Sequence, residues 1–140
     1  FNLLSVLQYA VEFLKVKHII LCGHYGCGGV RFALTQQSVG FLNQWLRFIK
    51  DVFAENQTEL LAIESDDDRW QRLVELNVLE QVQNLARTSI VQKAWDTGQE
   101  LTIHGWVYGL HDGYIKDLTK MNNDSTLKEI YRFNWVKKKP

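Results

Sequence analysis

The most constraining feature of this 140-residue sequence is a short apolar run that leads into a glycine-rich turn. The run is His18-Ile19-Ile20-Leu21, and the turn reads Cys22-Gly23-His24-Tyr25-Gly26-Cys27-Gly28-Gly29. Continuous apolar character with glycine at one end predicts a strand buried on both faces of a parallel sheet. His24 and Cys27 supply an imidazole and a thiol, the two side chains that zinc prefers. A working zinc site needs at least three protein ligands, so the turn accounts for only part of one.

Each of these side chains also has a simpler interpretation. Cys22 lies in the strand, where we expect a small buried hydrophobic residue and not a ligand. Cys22 and Cys27 lack the C-x-x-C spacing of a redox pair. His24 by itself is compatible with a buried, hydrogen-bonded histidine. The preceding strand and the surrounding glycines favour the metal site, with Cys27 bound as thiolate and His24 as neutral imidazole. The Gly28 N–H, near the start of the next helix, is then available to an anion.

The rest of the sequence alternates between helical and strand patterns. Apolar spacing predicts helices at 3–14, from Val30, at 40–53, at 69–97 with a break near 86–89, and from a Ser125 cap to about Lys138. Strands are predicted at 101–108 and, after a turn at 111–113, at the edge segment 114–118. This order predicts an α/β fold, a mainly parallel sheet flanked by helices.

Composition excludes several classes of partner. Sixteen basic residues balance sixteen acidic ones, which argues against nucleic acid or an anionic membrane as a partner. No apolar run approaches the ~20 residues that span a bilayer. Two cysteines make no disulfide framework and no signal peptide is recognisable, which favours a cytoplasmic protein. The acidic run at 64–68 lacks the spacing of a calcium-binding EF-hand, and we interpret it as a solvated loop.

Five blocks of the sequence closely resemble the β-class carbonic anhydrases, above all the bacterial members. In chain order they are 5–11, 18–29, 43–46, 76–82 and 103–109, and the resemblance extends to about Tyr131. It implies a β-carbonic anhydrase-like fold, a Zn²⁺ cofactor and assembly as a homodimer or homotetramer. The implied reaction is the reversible hydration of carbon dioxide to bicarbonate and a proton.

The resemblance also assigns roles to individual residues. It implies that His24 and Cys27 are two of three zinc ligands and that Gly28 lies near the bound substrate. Tyr108 matches a tyrosine that, in one bacterial subgroup, helps to hold bicarbonate at a non-catalytic inhibitory site. His104 belongs to a block that does not bind zinc, and His111 lies in a predicted turn. We therefore expect neither of these two histidines to serve as a replacement ligand.

One motif of the family is missing from these 140 residues. The third ligand is a cysteine in a C-x-D-S-R segment on an earlier strand, and its aspartate and arginine form a dyad beside the metal. No cysteine precedes Cys22, and no C-x-D-S-R occurs. No catalytic residue is therefore assigned here. We expect residues 1–140 to be a single, N-terminally truncated domain that binds zinc poorly and has negligible hydration activity by itself.

Two other interpretations stay open at this point. The chain is compatible with a non-catalytic interaction module that has kept the surfaces of the fold and lost the chemistry, using the apolar helices at 3–14 and 41–53. It is also compatible with a structural zinc site that a partner chain completes.

Overall fold

The computed structural model describes residues 2–135, and the sheet in this part of the chain has three strands in the order β1-β2-β3. β1 (His18–His24) is parallel to β2 (Thr102–Tyr108), and β2 is antiparallel to β3 (Ile115–Met121). The register places His24 opposite Tyr108. The predicted α/β class and the returning edge strand are confirmed. One of the two strand pairings in this sheet is parallel and the other antiparallel.

Helices occupy most of the remaining described residues. They are α1 (Asn2–Gln8), continued by a π-helical turn (Tyr9–Phe13), α2 (Gly28–Ala33), α3 (Asn43–Glu55), α4 (Gln57–Leu61), α5 (Asp66–Ala86) and α6 (Ser89–Asp96), with 3₁₀ turns at Gly40–Leu42 and Glu129–Tyr131. The predicted break in the long helical pattern is confirmed, because α6 begins anew where the Thr88 side chain accepts a hydrogen bond from the Val91 N–H. Within residues 2–135, none of these helices has the length and apolar character needed to cross a membrane.

The N-terminus of α5 is set by local chemistry. The Ser65 hydroxyl accepts a hydrogen bond from the Asp68 N–H at 3.2 Å, which caps the helix. Asp66, Asp67 and Asp68 form its first turn, where negative charge is favoured by the helix dipole. The prediction of a solvated loop over 64–68 is therefore wrong for its last three residues: they begin the longest helix of the described chain, because the Ser65 cap and the helix dipole favour acidic residues there.

α5 packs closely on one face of β1 and β2 at two glycines. A Cβ atom added to Gly23 would lie 2.6 Å from Val78 Cγ2, and one added to Gly105 would lie 2.8 Å from Val82 Cγ2. Both valines are buried in the apolar core. The missing side chains therefore let the helix approach the sheet more closely than any larger residue would allow.

The opposite face of β1 is exposed in residues 2–135. It carries His18, Ile20, Cys22 and His24. Two predictions are therefore wrong: β1 is not buried on both faces, and Cys22 is an exposed free thiol instead of a buried hydrophobic residue. The physical reason is that the apolar side chains packed on β1 contact its other face, at Ile19 and Leu21.

The predicted last helix is also wrong over the part that the structure describes. The Ser125 hydroxyl accepts from the Asn122 N–H at 2.9 Å and closes a turn after β3 instead of capping a helix. The Gln92 amide of α6 then donates to the Tyr131 carbonyl and accepts from the Phe133 N–H. These two backbone groups are therefore hydrogen bonded to a side chain of another helix and not to each other's neighbours in a helix of their own. The predicted end of that helix, at Lys138, lies outside the described residues.

The contact at Gly23 predicts a large effect of one methyl group. Gly23→Ala should lower the free energy of unfolding by about 1–3 kcal/mol, the usual range for overpacking, because Val78 and the backbone must move apart. Urea denaturation of the 140-residue chain measures this change. Gly28→Ala is the matched control, since a Cβ there meets nothing within 4 Å. Equal unfolding midpoints for the two variants would contradict the close-packing argument.

Candidate metal centre

The two predicted ligands flank a tight turn at the carboxyl end of β1. His24 is the last residue of the strand, and Cys27 is the N-cap of α2. Between them, Gly26 has a φ of +75°, a left-handed conformation that glycine adopts without steric cost. The backbone thus reverses within the three residues after the strand, which places a thiol and an imidazole on the same turn.

The imidazole of His24 has a defined hydrogen-bonding role. Its Nδ1 lies 3.0 Å from the carbonyl oxygen of Tyr25. Because a carbonyl can only accept, Nδ1 carries a proton, and the neutral imidazole then has its lone pair on Nε2. Histidines that bind metals usually donate their other ring N–H to a carbonyl or carboxylate in this way. The exposed imidazole is therefore already in the tautomer that a metal at Nε2 requires.

Cys27 lies at the edge of the apolar core. It is a free, half-buried thiol packed against the core cluster that includes Val30 and Leu46. The Trp45 ring lies beneath the next turn, 2.6 Å from where a Cβ on Gly29 would be. A bulky indole therefore occupies the space that a side chain at position 29 would fill, and Cys27 Sγ lies 3.9 Å from the position of that Cβ.

Three side chains of α5 contact the turn between the ligands, and the sequence reasoning did not identify them. The Tyr25 hydroxyl donates to Glu75 Oε1 at 2.5 Å. The Gly26 N–H donates to Gln71 Oε1 at 2.9 Å, and Trp70 Nε1–H donates to the Cys27 carbonyl at 2.9 Å. The available signal was Glu75, a single charge inside the apolar run Leu73-Val74-Glu75-Leu76.

Glu75 is buried, with 8% of its surface exposed, and three donors reach its carboxylate. They are the Tyr25 hydroxyl, Arg72 Nη1 at 2.8 Å and Lys116 Nζ at 2.7 Å. Burial by itself would raise the pKa of Glu75. The hydrogen bonds from Lys116, Tyr25 and Arg72 outweigh burial, so that the pKa of Glu75 is lowered. Burial and the hydrogen bond to Glu75 raise the pKa of Tyr25.

The other predicted site residues lie at different distances from the turn. Gly28 follows Cys27 directly, is exposed, and has open space where a side chain would be. Tyr108 ends β2 opposite His24, and its carbonyl accepts from the Tyr25 N–H at 3.0 Å. The structure therefore brings Gly28 and Tyr108 to the turn.

The remaining histidines are placed differently. His104 pairs with Ile20, further back along the sheet, and its Nε2 lies 3.0 Å from His18 Nδ1. His111 lies in the turn between β2 and β3 and lines a cleft that also contains Tyr25 and Gly26.

A zinc ion fits the donor atoms that the turn offers, but these donors are too few for a complete site. Neutral imidazole nitrogen and cysteine sulfur are both preferred zinc ligands. Among residues 2–135, no group of three or more His, Cys, Asp and Glu side chains is arranged to hold a metal ion. His24 and Cys27 would therefore hold the metal together with a donor that this part of the chain does not bring to them.

Comparison with known proteins identifies the family. Residues 1–115 match the family model described as carbonic anhydrase. The carbonic anhydrase of Emericella nidulans is 51% identical over 115 residues, which cover 82% of this chain and 50% of that protein. The chain belongs to the β-carbonic anhydrase family.

Solved β-carbonic anhydrases share the fold. The Coccomyxa enzyme, determined in complex with acetazolamide, matches with a TM-score of 0.81 and 41% identity, covering 86% of this chain and 55% of that one. A tetrameric enzyme of Sordaria macrospora matches with a TM-score of 0.80 and 35% identity, over 86% and 61%. Bacterial carbonic anhydrases also match, at 30% and 32% identity. This β-carbonic anhydrase chain spans about half the length of the curated relatives it matches.

The lowered pKa of Glu75 predicts how the stability of this β-carbonic anhydrase chain depends on pH. A carboxyl group whose pKa is lower in the folded than in the unfolded state stabilises the fold fully above its unfolded pKa, about 4.3. That stabilisation is lost as the pH falls through the folded pKa. Glu75→Gln should therefore lower the free energy of unfolding at pH 7 by about 1.5–3 kcal/mol, the range for hydrogen bonds to charged groups. It should also flatten the acid limb of the stability curve.

Urea unfolding between pH 3 and 7 measures both effects. Glu64→Gln, at an exposed carboxylate before α5, is the control and should leave the acid limb as in the wild type. If the free energies of unfolding of the Glu75→Gln and wild-type chains changed in parallel over this pH range, Glu75 would not be the group whose protonation destabilises the fold.

Proposed function

We propose that this chain supplies two of the three zinc ligands, His24 and Cys27, of a carbonic anhydrase that interconverts carbon dioxide and bicarbonate. The observation that carries the proposal is the hydrogen bond from His24 Nδ1 to the Tyr25 carbonyl. It leaves Nε2 of the neutral imidazole to coordinate a metal, and the free thiol of Cys27 follows three residues later. Membership of the family makes zinc chemistry the natural use of that pair. Zinc, as is established for carbonic anhydrases with three-histidine sites, lowers the pKa of water toward neutrality and so provides a nucleophile.

The third ligand, a cysteine, is proposed to come from outside residues 1–140. Cys22 is the only other cysteine in the sequence, and its Sγ contacts the carbonyl of Gly23. β1 is an edge strand among the described residues, so its outer edge is free to pair with a further strand. A ligand carried on such a strand would lie beside His24.

The residues of this chain then have separate tasks. His24 keeps its proton on Nδ1 and offers Nε2 to the metal, while Cys27 must lose its proton to bind as thiolate, so binding releases a proton. Gly28 leaves open space beside Cys27, where the small substrate can approach without meeting a side chain. Tyr108, 38% exposed and adjacent to the turn, is proposed as a contact for bicarbonate outside the catalytic centre.

We also propose that the protein assembles as a homodimer or homotetramer and acts in the cytoplasm. Large apolar side chains are exposed on the first two turns of α3 and the residues before it: Phe41, Leu42, Trp45 and Phe48. Large apolar side chains exposed so close together in the sequence favour an interface with another protein chain. The Sordaria macrospora relative is tetrameric. Both cysteines are free thiols, in keeping with a reducing compartment.

Substitution of the ligands tests the assignment of the metal site. Cys27→Ser and His24→Ala should each lower the affinity of the 140-residue chain for Zn²⁺ by more than about 100-fold, since even outer-shell partners of a metal contribute 10–100-fold. Competition with a chromophoric chelator measures this affinity. Cys22→Ser is the matched control, because it removes the other thiol and should leave the affinity unchanged. A loss of affinity in Cys22→Ser equal to that in Cys27→Ser would disprove the assignment.

The second test concerns activity. Residues 1–140 loaded with zinc should show negligible carbon dioxide hydration in a stopped-flow assay, because two protein ligands do not make a catalytic zinc site. The same segment within its complete parent protein should be active, and Cys27→Ser there should abolish the activity. Robust hydration by the 140-residue chain would refute the requirement for an external ligand. An inactive complete parent protein would refute the carbonic anhydrase proposal itself.

A further inference from the structure

The turn that carries the two ligands is held by one helix at every residue between the strand and α2. Tyr25, Gly26 and Cys27 each receive a contact from a different side chain of α5: Glu75, Gln71 and Trp70 respectively. We call these three α5 residues the α5 clamp. Its contacts involve a side-chain hydroxyl, a backbone N–H and a backbone carbonyl in succession. Together they fix both the direction of the Tyr25 side chain and the orientation of the peptide groups that follow it.

The clamp residues are themselves held in place by further contacts. The Arg31 guanidinium lies over the Trp70 ring, 4.7 Å from its centroid. The carboxylate of Glu75 accepts from Arg72 on the same helix and from Lys116 on β3. α5 is in turn packed against β1 at Gly23, one residue before His24. The clamp therefore joins the turn to a rigid part of the core and not to a loop.

The three clamp residues hold the turn without hydrogen bonding to the side chain of either candidate ligand. Their hydrogen bonds go to the Tyr25 hydroxyl and to backbone groups of Gly26 and Cys27, and none goes to the imidazole of His24 or the thiol of Cys27. They can affect a metal only by fixing the conformation of the turn. They are positioning residues, and their role would be to spare metal binding the cost of ordering that turn.

We propose that the α5 clamp, and Gln71 in particular, pre-orders the turn so that His24 and Cys27 present their donor atoms together before a metal arrives. This inference rests on the proposed function of the turn as a zinc site. It goes beyond it by assigning the affinity of the site partly to a helix that contributes no ligand. Gln71 is the most informative member, because within residues 2–135 its side chain makes one hydrogen bond, from the Gly26 N–H, and it is only half-buried.

The decisive experiment compares three variants of the full 140-residue chain. Gln71→Ala removes the acceptor for the Gly26 N–H, whereas Gln71→Glu keeps an oxygen at the same position. Gln81→Ala is the matched control on α5, because the Gln81 amide contacts Asn77 and not the turn. Thermal unfolding of all three establishes that each variant is folded before the turn is examined.

The first readout needs no metal. Amide hydrogen exchange at Gly26, followed by NMR, should be roughly 2- to 12-fold faster in Gln71→Ala than in the wild type, the fold-change expected for loss of one hydrogen bond. Gln71→Glu and Gln81→Ala should exchange at close to the wild-type rate. If exchange at Gly26 were the same in Gln71→Ala as in Gln81→Ala, the clamp would not hold the turn, and the proposal would fail.

The second readout uses Co²⁺ alone as the probe, in a Cys22→Ser background so that thiolate-to-cobalt charge-transfer absorption reports on Cys27. Gln71→Ala should weaken Co²⁺ binding by about 2- to 12-fold, because a pre-ordered turn can contribute no more to affinity than the hydrogen bond that orders it, and Gln71→Glu should restore the binding. Unchanged affinity despite faster exchange would overturn the positioning role while leaving the ligand assignment intact. Absence of the charge-transfer band in the Cys22→Ser chain with Gln71 intact would overturn the ligand pair, and the clamp's role with it.

Discussion

The close contact of α5 with β1 and β2 determines where the rest of the structure lies. Two glycines, Gly23 and Gly105, let Val78 and Val82 pack onto the sheet backbone. Because α5 lies at this short distance, the side chains of its N-terminal half reach the turn that follows β1. A larger residue at position 23 would separate helix and strand at the point where the turn begins. Helix–sheet packing and the geometry of the candidate metal centre are therefore set by the same interface.

Electrostatics at this interface follow from the burial of one carboxylate. Desolvation disfavours a charged Glu75, and the compensation comes from donors on three elements: Tyr25 after β1, Arg72 on α5 and Lys116 on β3. Removal of any one donor leaves the others to satisfy a buried charge, which makes the network sensitive to single changes. A buried ion pair is not by itself a strong source of stability. Its value here is that it fixes the orientation of Tyr25 between the two candidate ligands.

Local sequence patterns were enough to predict where several strands and helices begin and end. They were not enough to predict which face of a strand or helix is covered by the rest of the protein. The strand that ends at His24, the break within 86–89 and the edge strand after His111 follow from periodicity, turn residues and the length of the helical pattern, and the structure has all three. The burial of Cys22 was predicted wrongly, because it depends on whether something covers the second face of β1. The clamp was missed because Gln71 and Trp70 act through hydrogen bonds between a helix and a distant turn, which leave no periodic signal.

The proposed separation of the three zinc ligands, two on this turn and one on another segment, has a thermodynamic consequence. Under the proposed function, two ligands come from one turn whose conformation is fixed when α5 docks on the sheet. The entropy cost of ordering that turn is then borne by folding and not by metal binding. The third ligand, on a separate segment, adds little ordering cost if its strand pairs with the free edge of β1, since strand pairing would fix it as well. Such a site binds metal strongly only when both parts are in place, although each part is ordered independently of the metal. Zinc affinity would then report on the assembly of the sheet as much as on the ligands themselves.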